Sequence, residues 1–354
     1  AFTTQGVVFG NEEQRRLYPS RTPNPDITWE RGTTYDIGLD LRFLNDRLSI
    51  EADYFYHKRT HMLISRNASL PQVTGITLPR ENIGRMRNQG FEMLVSWQDR
   101  KGDFNYGASF NMTWANNKIL YWDEVPGIPE YQKSTGMPVG ARLYYKTDGI
   151  FHTQQEIDAY PHWTGAVPGD VKFVDVNKDG AIDANDRVRS NKTYEPKFVG
   201  GLTLTAGYKN WDLSALIQGA LGGQAYIKTW SGTIGNFLKE YYDNRWTPEN
   251  PNAKGPRTYE RENQYWAGSY EGDHANDFFL RSGDYLRLKN LEIGYAVGEK
   301  TLKAIGFSKL RFYVSGRNLL TLDHIKVADP ESRNPNLENY PQRVFYHIGF
   351  QATF

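Results

Sequence analysis

Thr34-Tyr-Asp-Ile-Gly-Leu-Asp-Leu-Arg-Phe43 alternates without a break. Tyr35, Ile37, Leu39, Leu41 and Phe43 fall on one side, and Thr34, Asp36, Gly38, Asp40 and Arg42 on the other, the period of a β-strand with one apolar and one polar face. After a turn at Asn45-Asp46 the pattern returns as Leu48, Ile50, Ala52, Tyr54 and Tyr56 against Ser49, Glu51 and Asp53. Similar segments lie near 86–98, 103–115, 198–208, 211–221, 284–296, 309–319 and 343–354. Most of these strands run to about 11 to 13 residues, against the usual five or six, and that length suits strands tilted across a bilayer.

The connections carry independent information. Short ones at 45–46, 99–102, 209–210 and 297–308 alternate with long ones at 59–85, 116–197, 222–283 and 320–342. Outer-membrane barrels have short periplasmic turns and long extracellular loops, so the rhythm predicts sidedness, with Phe354 in the periplasm. A soluble β-sandwich would show the same alternation. Against it stand the strand lengths, the aromatics at strand ends (Tyr35, Phe43, Tyr56, Trp114, Tyr208, Trp211) and the charges recurring on the polar face (Asp40, Arg42, Glu51, Asp53). The expected fold is all-β, about nine antiparallel strands of a large transmembrane barrel. Bacterial single-chain barrels have even strand numbers and tolerate no open edge in lipid. The expectation is therefore that further strands belong upstream of this chain.

Composition narrows the classes. The 354 residues carry 42 basic and 41 acidic groups, a net charge of +1, so nothing favours nucleic acid or an anionic surface. Cysteine is absent, which excludes disulfides, thiolate metal sites and cysteine nucleophiles. Aromatics make up 14%, with 23 Tyr and 9 Trp. Mean hydropathy is −0.67, and no apolar run approaches the length of a transmembrane helix. The opening residues show no basic-plus-apolar leader, so the chain reads as one from which a leader and more were removed, or as an internal piece of a longer polypeptide.

The longest connection contains Asp175-Val-Asn-Lys-Asp-Gly-Ala-Ile-Asp-Ala-Asn-Asp186. Oxygen ligands at positions 1, 3 and 5, a Gly at 6 for the sharp turn and a carboxylate at 12 suit a seven-coordinate hard cation. Asp175, Asn177, Asp179 and Asp186 fill those places, and the Ala181 carbonyl would supply position 7. Asp in place of Glu at position 12 predicts a weak structural Ca2+ site, with an affinity of order 10⁻⁴ to 10⁻³ M. The plainer alternative is a solvated Asp/Asn turn.

Several stretches together resemble the C-terminal part of a SusC/RagA-family TonB-dependent outer-membrane transporter. Pro23-Asn-Pro-Asp-Ile-Thr-Trp-Glu30 leading into Tyr35-Asp-Ile-Gly-Leu-Asp40, then Asn45-Asp-Arg-Leu-Ser49, Asp53-Tyr-Phe-Tyr56 and Asn88-Gln-Gly-Phe-Glu92, are similar to a late part of that barrel. The long loop adds Asp148-Gly-Ile-Phe151, Gln155-Glu-Ile-Asp158, Pro168-Gly-Asp170 and the Asp175–Asp186 loop followed by Arg187. Gly283-Asp-Tyr-Leu-Arg-Leu-Lys-Asn290, Gly294-Tyr295, Val314-Ser-Gly-Arg-Asn-Leu319 and Tyr340-Pro341 look like its closing strands. The last strand sets Val344, Tyr346, Ile348, Phe350, Ala352 and Phe354 on one face; an aromatic terminus is the family's barrel-assembly signal. The resemblance implies a multi-pass bacterial outer-membrane protein that imports a large nutrient, an oligosaccharide or alternatively an oligopeptide. It also implies the partners: a SusD-like surface lipoprotein, the TonB complex acting through an upstream plug, and the remainder of the barrel. Residues 1–32 read as an extracellular loop and lead-in, and 33–354 as barrel.

In that setting Trp163, Trp230, Tyr241, Tyr242, Trp246 and Trp266 are candidate substrate or lid contacts; aromatic loop residues more often pack loops against one another. His57, His61, His152, His162, His274, His324 and His347 are scattered, with no metalloprotease spacing. An enzyme would have to rest on a carboxylate pair such as Asp40 and Glu51, and no phosphate-binding loop, nucleophile elbow or dinucleotide fingerprint is present, so no catalysis is expected. A secreted calcium-dependent carbohydrate-binding or adhesin module is the competing reading.

Overall fold

The alternating segments pair, each with its neighbour in the chain, into a nine-stranded antiparallel meander. Its strands are β1 (Arg31–Phe43), β2 (Leu48–Ser65), β3 (Arg80–Lys101), β4 (Phe104–Tyr121), β5 (Phe198–Tyr208), β6 (Trp211–Leu221), β7 (Tyr285–Ala296), β8 (Lys309–Asp323) and β9 (Phe345–Thr353). This computed structural model describes residues 2–10, 12–19, 23–66, 78–227, 238–258, 265, 274–332 and 342–354.

The sequence places all nine strands, but three are much longer than their alternation indicates. β2, β3 and β4 span 18, 22 and 18 residues. At about 3.3 Å per residue a 22-residue strand is more than twice as long as the hydrocarbon layer is thick. Alternation is demanded only where one face meets lipid, so extensions such as His57-Lys-Arg-Thr-His61 and Arg80-Glu-Asn-Ile-Gly-Arg85 carry no such signal. The long connections are accordingly 66–79, 122–197, 222–284 and 324–344, against short ones at 44–47, 102–103, 209–210 and 297–308.

The apolar rows stay outside. Ile37 is 72% exposed and Ile348 88%, levels that a water-soluble sheet would conceal. At the short-turn end, Trp211 packs on Tyr295 (ring centroids 4.9 Å) and Phe307 on Phe354 (4.7 Å), an aromatic belt of the kind that flanks a barrel's apolar band. The opposite face holds ion pairs. Arg311 on β8 reaches across β7 to Asp212 on β6, its Nε 2.9 Å from Oδ1, and also donates to Glu292 at 2.7 Å. Gly294 makes this crossing possible, because a Cβ there would lie 2.2 Å from the guanidinium. β7 also bulges: Leu216 and Ile217 of β6 pair with Asn290 and Leu288, leaving Lys289 as an extra residue. The ladder with β8 shifts at the same level.

The chain divides into two compact units, one comprising 1–35, 55–89 and 116–139, the other 36–54, 90–115 and 140–354. In the first, the Asn82 side chain accepts from Thr28 N–H at 2.9 Å and donates to the carbonyls of Thr28 and His61, both at 2.8 Å. Phe2–Phe9 and Glu12–Pro19 form a hairpin, so part of the expected lead-in is a two-stranded ladder. The second unit holds β5 to β9 and a folded layer of loops.

Candidate functional site

That layer is built by long connections that pack as a small domain would. Leu143–Tyr145 pairs with Arg187–Arg189, Thr147–Ile150 with Val171–Phe173, and Gln224–Tyr226 with Leu280–Ser282. Tyr145 N–H donates to the Ala275 carbonyl at 2.9 Å, joining 140–197 to 222–284. Val171, Tyr226 and Phe279 are completely buried in the shared core. Trp163 closes it from one side, 4.6 Å from Phe173 and 5.3 Å from Tyr145 between centroids. Burial pushes the Tyr241 hydroxyl up to about 12 and raises that of Tyr265 as well. Tyr265 donates to the Trp163 carbonyl at 3.0 Å.

A buried ion pair fastens the same two connections. Asp170 is fully buried, and burial raises its carboxyl, an effect partly offset by Arg257 Nε at 2.6 Å and Val167 N–H at 2.9 Å. Arg257 N–H also donates to the Gly169 carbonyl at 2.8 Å.

The loop at 175–186 lies against this core. Trp163 Nε1 donates to the Ile182 carbonyl at 2.8 Å, and Ile182 is itself buried. Lys178 and Gly180 adopt positive φ, 62° and 86°, which folds positions 1 to 6 back on themselves. Asp175 accepts from the N–H groups of Lys178 (2.6 Å) and Gly180 (2.9 Å), and Asp179 from that of Ala181 (2.9 Å). Asp186, completely buried, accepts from Val176 N–H and Asp183 N–H, both at 2.8 Å, and so ties the loop's two ends together. The donors are all oxygen, as a hard cation requires, and a carboxylate oxygen that accepts one N–H keeps a second lone pair. As the side chains stand, no three His, Asp or Glu groups converge on one point among the described residues.

The structure separates the aromatic residues singled out from sequence. Tyr241 belongs to the loop core, where presenting its ring to a ligand would require unpacking, and Trp163 is half-buried against that core. Trp246 is half-buried beneath Gly169, and Tyr242 is exposed with the Arg245 guanidinium 3.8 Å above its ring. Trp230 and Trp266 lie outside the described residues. The histidines are dispersed: His57 bonds Thr34 Oγ1 at 2.8 Å and His152 the Pro251 carbonyl at 2.8 Å.

Sequence reading missed the strongest polar cluster. Arg287 on β7 points away from the apolar row and is 2% exposed. Its Nη2 donates to Asp329 and its Nη1 to Glu331, each at 2.8 Å, and its Nε donates to Thr321 Oγ1 at 2.9 Å. Lys289 holds both Glu331 oxygens at 2.8 Å. The connection after β8 is thereby latched to the wall. An Arg within an alternating strand was the available sign; its partners lie more than 30 positions away and no period announces them.

The latch should be acid-labile. Burial pushes the Glu331 carboxyl up, but hydrogen bonds from Lys289 and Gln342 and the Arg287 charge outweigh that and hold it below the ordinary glutamate value of 4.5. A depressed native pKa means that the released state binds more protons, so the contribution is complete above about pH 4.5 and is lost as pH falls through the native value. Hydrogen exchange at 324–332, corrected for intrinsic rates, should quicken below about pH 4.5 in the native protein. Glu331→Gln should be faster at neutral pH and insensitive to this step; an acid transition of unchanged size in that variant would contradict the assignment.

Comparison with known proteins places this geometry. The family described as TonB dependent receptor-like, beta-barrel matches residues 8–319. The chain belongs to the TonB-dependent receptor-like β-barrel family. TonB-dependent receptor P26 of Formosa agariphila is 29% identical over 370 residues, covering 97% of this chain and 36% of that receptor. TonB-dependent receptor SusC of Bacteroides thetaiotaomicron is 27% identical over 352 residues, covering 94% and 32%. The RagAB peptide importer in its closed-closed state superposes with a TM-score of 0.69 at 23% identity, over 100% of this chain and 38% of the importer chain. This receptor-like chain therefore spans about a third of the length of the relatives it matches. Its meander is part of a barrel wall, its apolar rows the lipid face and its polar face, with Arg287 and Arg311, the lumen side.

Proposed function

We propose that this chain forms wall and loops of an importer in the bacterial outer membrane, one that takes up an oligosaccharide in a TonB-dependent manner together with a SusD-like surface lipoprotein. The observation that carries the reading is the barrel-wall meander whose long connections fold into an ordered layer at one end, on a chain of the TonB-dependent receptor-like family. Long ordered loops are costly in conformational entropy, and a layer of this size at a barrel mouth is suited to cargo capture or to docking a lid. Tyr242 is the ring among the described loop candidates best placed for such contact. TonB dependence is supported by the names of the sequence relatives, TonB-dependent receptor P26 and TonB-dependent receptor SusC. Deleting the gene should abolish TonB-dependent growth on one class of oligosaccharide and leave monosaccharide growth intact. Growth lost on oligopeptides instead would transfer the reading to peptide cargo, and no nutrient phenotype would overturn it.

Within this reading the 175–186 loop holds a structural Ca2+, with Asp175, Asn177, Asp179, the Ala181 carbonyl and Asp186 as ligands. Support comes from the oxygen-only donor set and from the buried Asp186 carboxylate, whose charge rests on backbone N–H groups and which a divalent cation would complement. In the intact receptor, chelation should speed hydrogen exchange across 176–183, and millimolar Ca2+ should restore protection. Asp179→Ala should exchange fast in either condition. Protection that is indifferent to chelator would rule the ion out.

A further inference from the structure

Where β5, β6 and β7 reach the loop layer, the lumen face of the wall carries a cavity of about 240 Å³. Gln218 and Tyr285 form its floor, with Ile325 and Glu331 from the connection after β8 on one side and Tyr194 and Gln224 on another. It is smaller than the roughly 300 to 1,000 Å³ clefts that hold drug-sized ligands, so it accommodates a single ring. Its shape is fixed by backbone. Gly283 N–H donates to the Gly223 carbonyl at 3.0 Å, and a Cβ on Gly283 would stand 3.2 Å from the Gly223 carbonyl carbon.

The chemistry of the lining is selective. Glu331 brings a charge, but both of its oxygens are held by Lys289 and one also by Arg287, so the cavity offers an ionic ligand no uncompensated partner. Gln224 is committed: its Oε1 accepts from Ser190 and its Nε2 donates to the Lys192 carbonyl, both at 3.0 Å. Tyr285 accepts from Gln218 Nε2 at 3.5 Å, which leaves the phenolic proton to donate and the Gln218 carbonyl to accept. Between these polar groups lie the rings of Tyr194 and Tyr285 and the side chains of Pro196 and Ile325. A ligand with an apolar C–H face and a rim of neutral hydroxyls satisfies all of these surfaces at once.

We propose that this cavity binds one neutral pyranose unit of the carried oligosaccharide, a subsite in the barrel wall at the entrance to the lumen; the inference rests on the glycan reading above. Tyr285 donates to one ring hydroxyl, Gln218 accepts from another, and the Arg287 latch holds Glu331 and its loop as the side wall.

The test uses the complete receptor in a non-glycosidic detergent such as an amine oxide, because maltoside or glucoside detergents would compete. Saturation-transfer NMR with methyl glucoside, galactoside and mannoside as probes should show contact with at least one of them and none with free glucuronate. Gln218→Leu and Tyr285→Phe, which keep side-chain volume, should each weaken that contact about fivefold, the loss of one hydrogen bond to a neutral group. Absence of contact with every methyl hexoside, or equal contact in both variants, overturns the subsite. Uptake measured in the same strain separates the two ideas: persistent TonB-dependent oligosaccharide uptake with no glycoside contact removes the subsite alone. Uptake of peptides in place of glycans removes the cargo class and the subsite with it.

Discussion

Arg287→Met is expected to free residues 324–332 from the wall at a cost of about 3 to 5 kcal/mol in local opening free energy, the range for removing one partner of a buried pair. Asp329 and Glu331 would be left in a site that is 11% and 18% exposed with one cation, Lys289, in place of two. Hydrogen exchange reports the change at 324–332 and at Thr321, while β5 and β6 should keep their protection. The double replacement Asp329→Asn and Glu331→Gln in the Arg287→Met background should recover most of the loss, since a matched neutral cluster avoids the uncompensated charge. If Arg287→Met alone leaves exchange at 324–332 unchanged, the cluster is not what holds this connection.

Phe279→Ala should be of similar size, about 3 to 5 kcal/mol. The ring is completely buried and packs against Tyr226, Tyr241 and Phe278. Because 140–197 and 222–284 share that core, the loss should appear at a distance, as faster exchange at 143–145 and 171–173 as well as at 224–226. Heat-modifiable migration of the barrel on a gel should be unaffected. Exchange that rises at 224–226 alone would mean that the loops fold independently, and the description of them as one layer would fail.

These expectations show which parts of the structure lie near the surface of the sequence. Wall strands are legible because lipid imposes a period of two on residues that are neighbours in the chain, as at Tyr35 to Phe43 or Trp211 to Leu221. The loop of Asp175 to Asp186 is legible because twelve consecutive residues carry the whole pattern. Strand ends at 57–65 and 116–121 are not, since both of their faces can be wet and nothing enforces alternation. The layer core is hidden for a different reason. Tyr145 meets Ala275, Asp170 meets Arg257 and Trp163 meets Tyr265, contacts between segments that have no period of their own. The sequence alone therefore does not say which of the candidate aromatics pack and which stay exposed; Tyr241 is in the core, and Trp163 is half-buried against it. The cavity beside Tyr285 escaped for the same reason, because its walls come from stretches of chain that are widely separated in sequence.

Lys289 stands as the extra residue that keeps Leu286 and Leu288, above the bulge, on the same side as Leu291, Ile293 and Tyr295 below it. Loss of that one codon would rotate the upper part of β7 by half a turn, sending Tyr285 and Arg287 into lipid and two leucines into the lumen. A guanidinium on the lipid face this near the strand's end costs about 0 to 1 kcal/mol, so the larger loss is that of the latch. Loss of two codons would preserve facing. The coding sequence of this strand thus carries a parity check, and length variation among related genes should pass it in even steps.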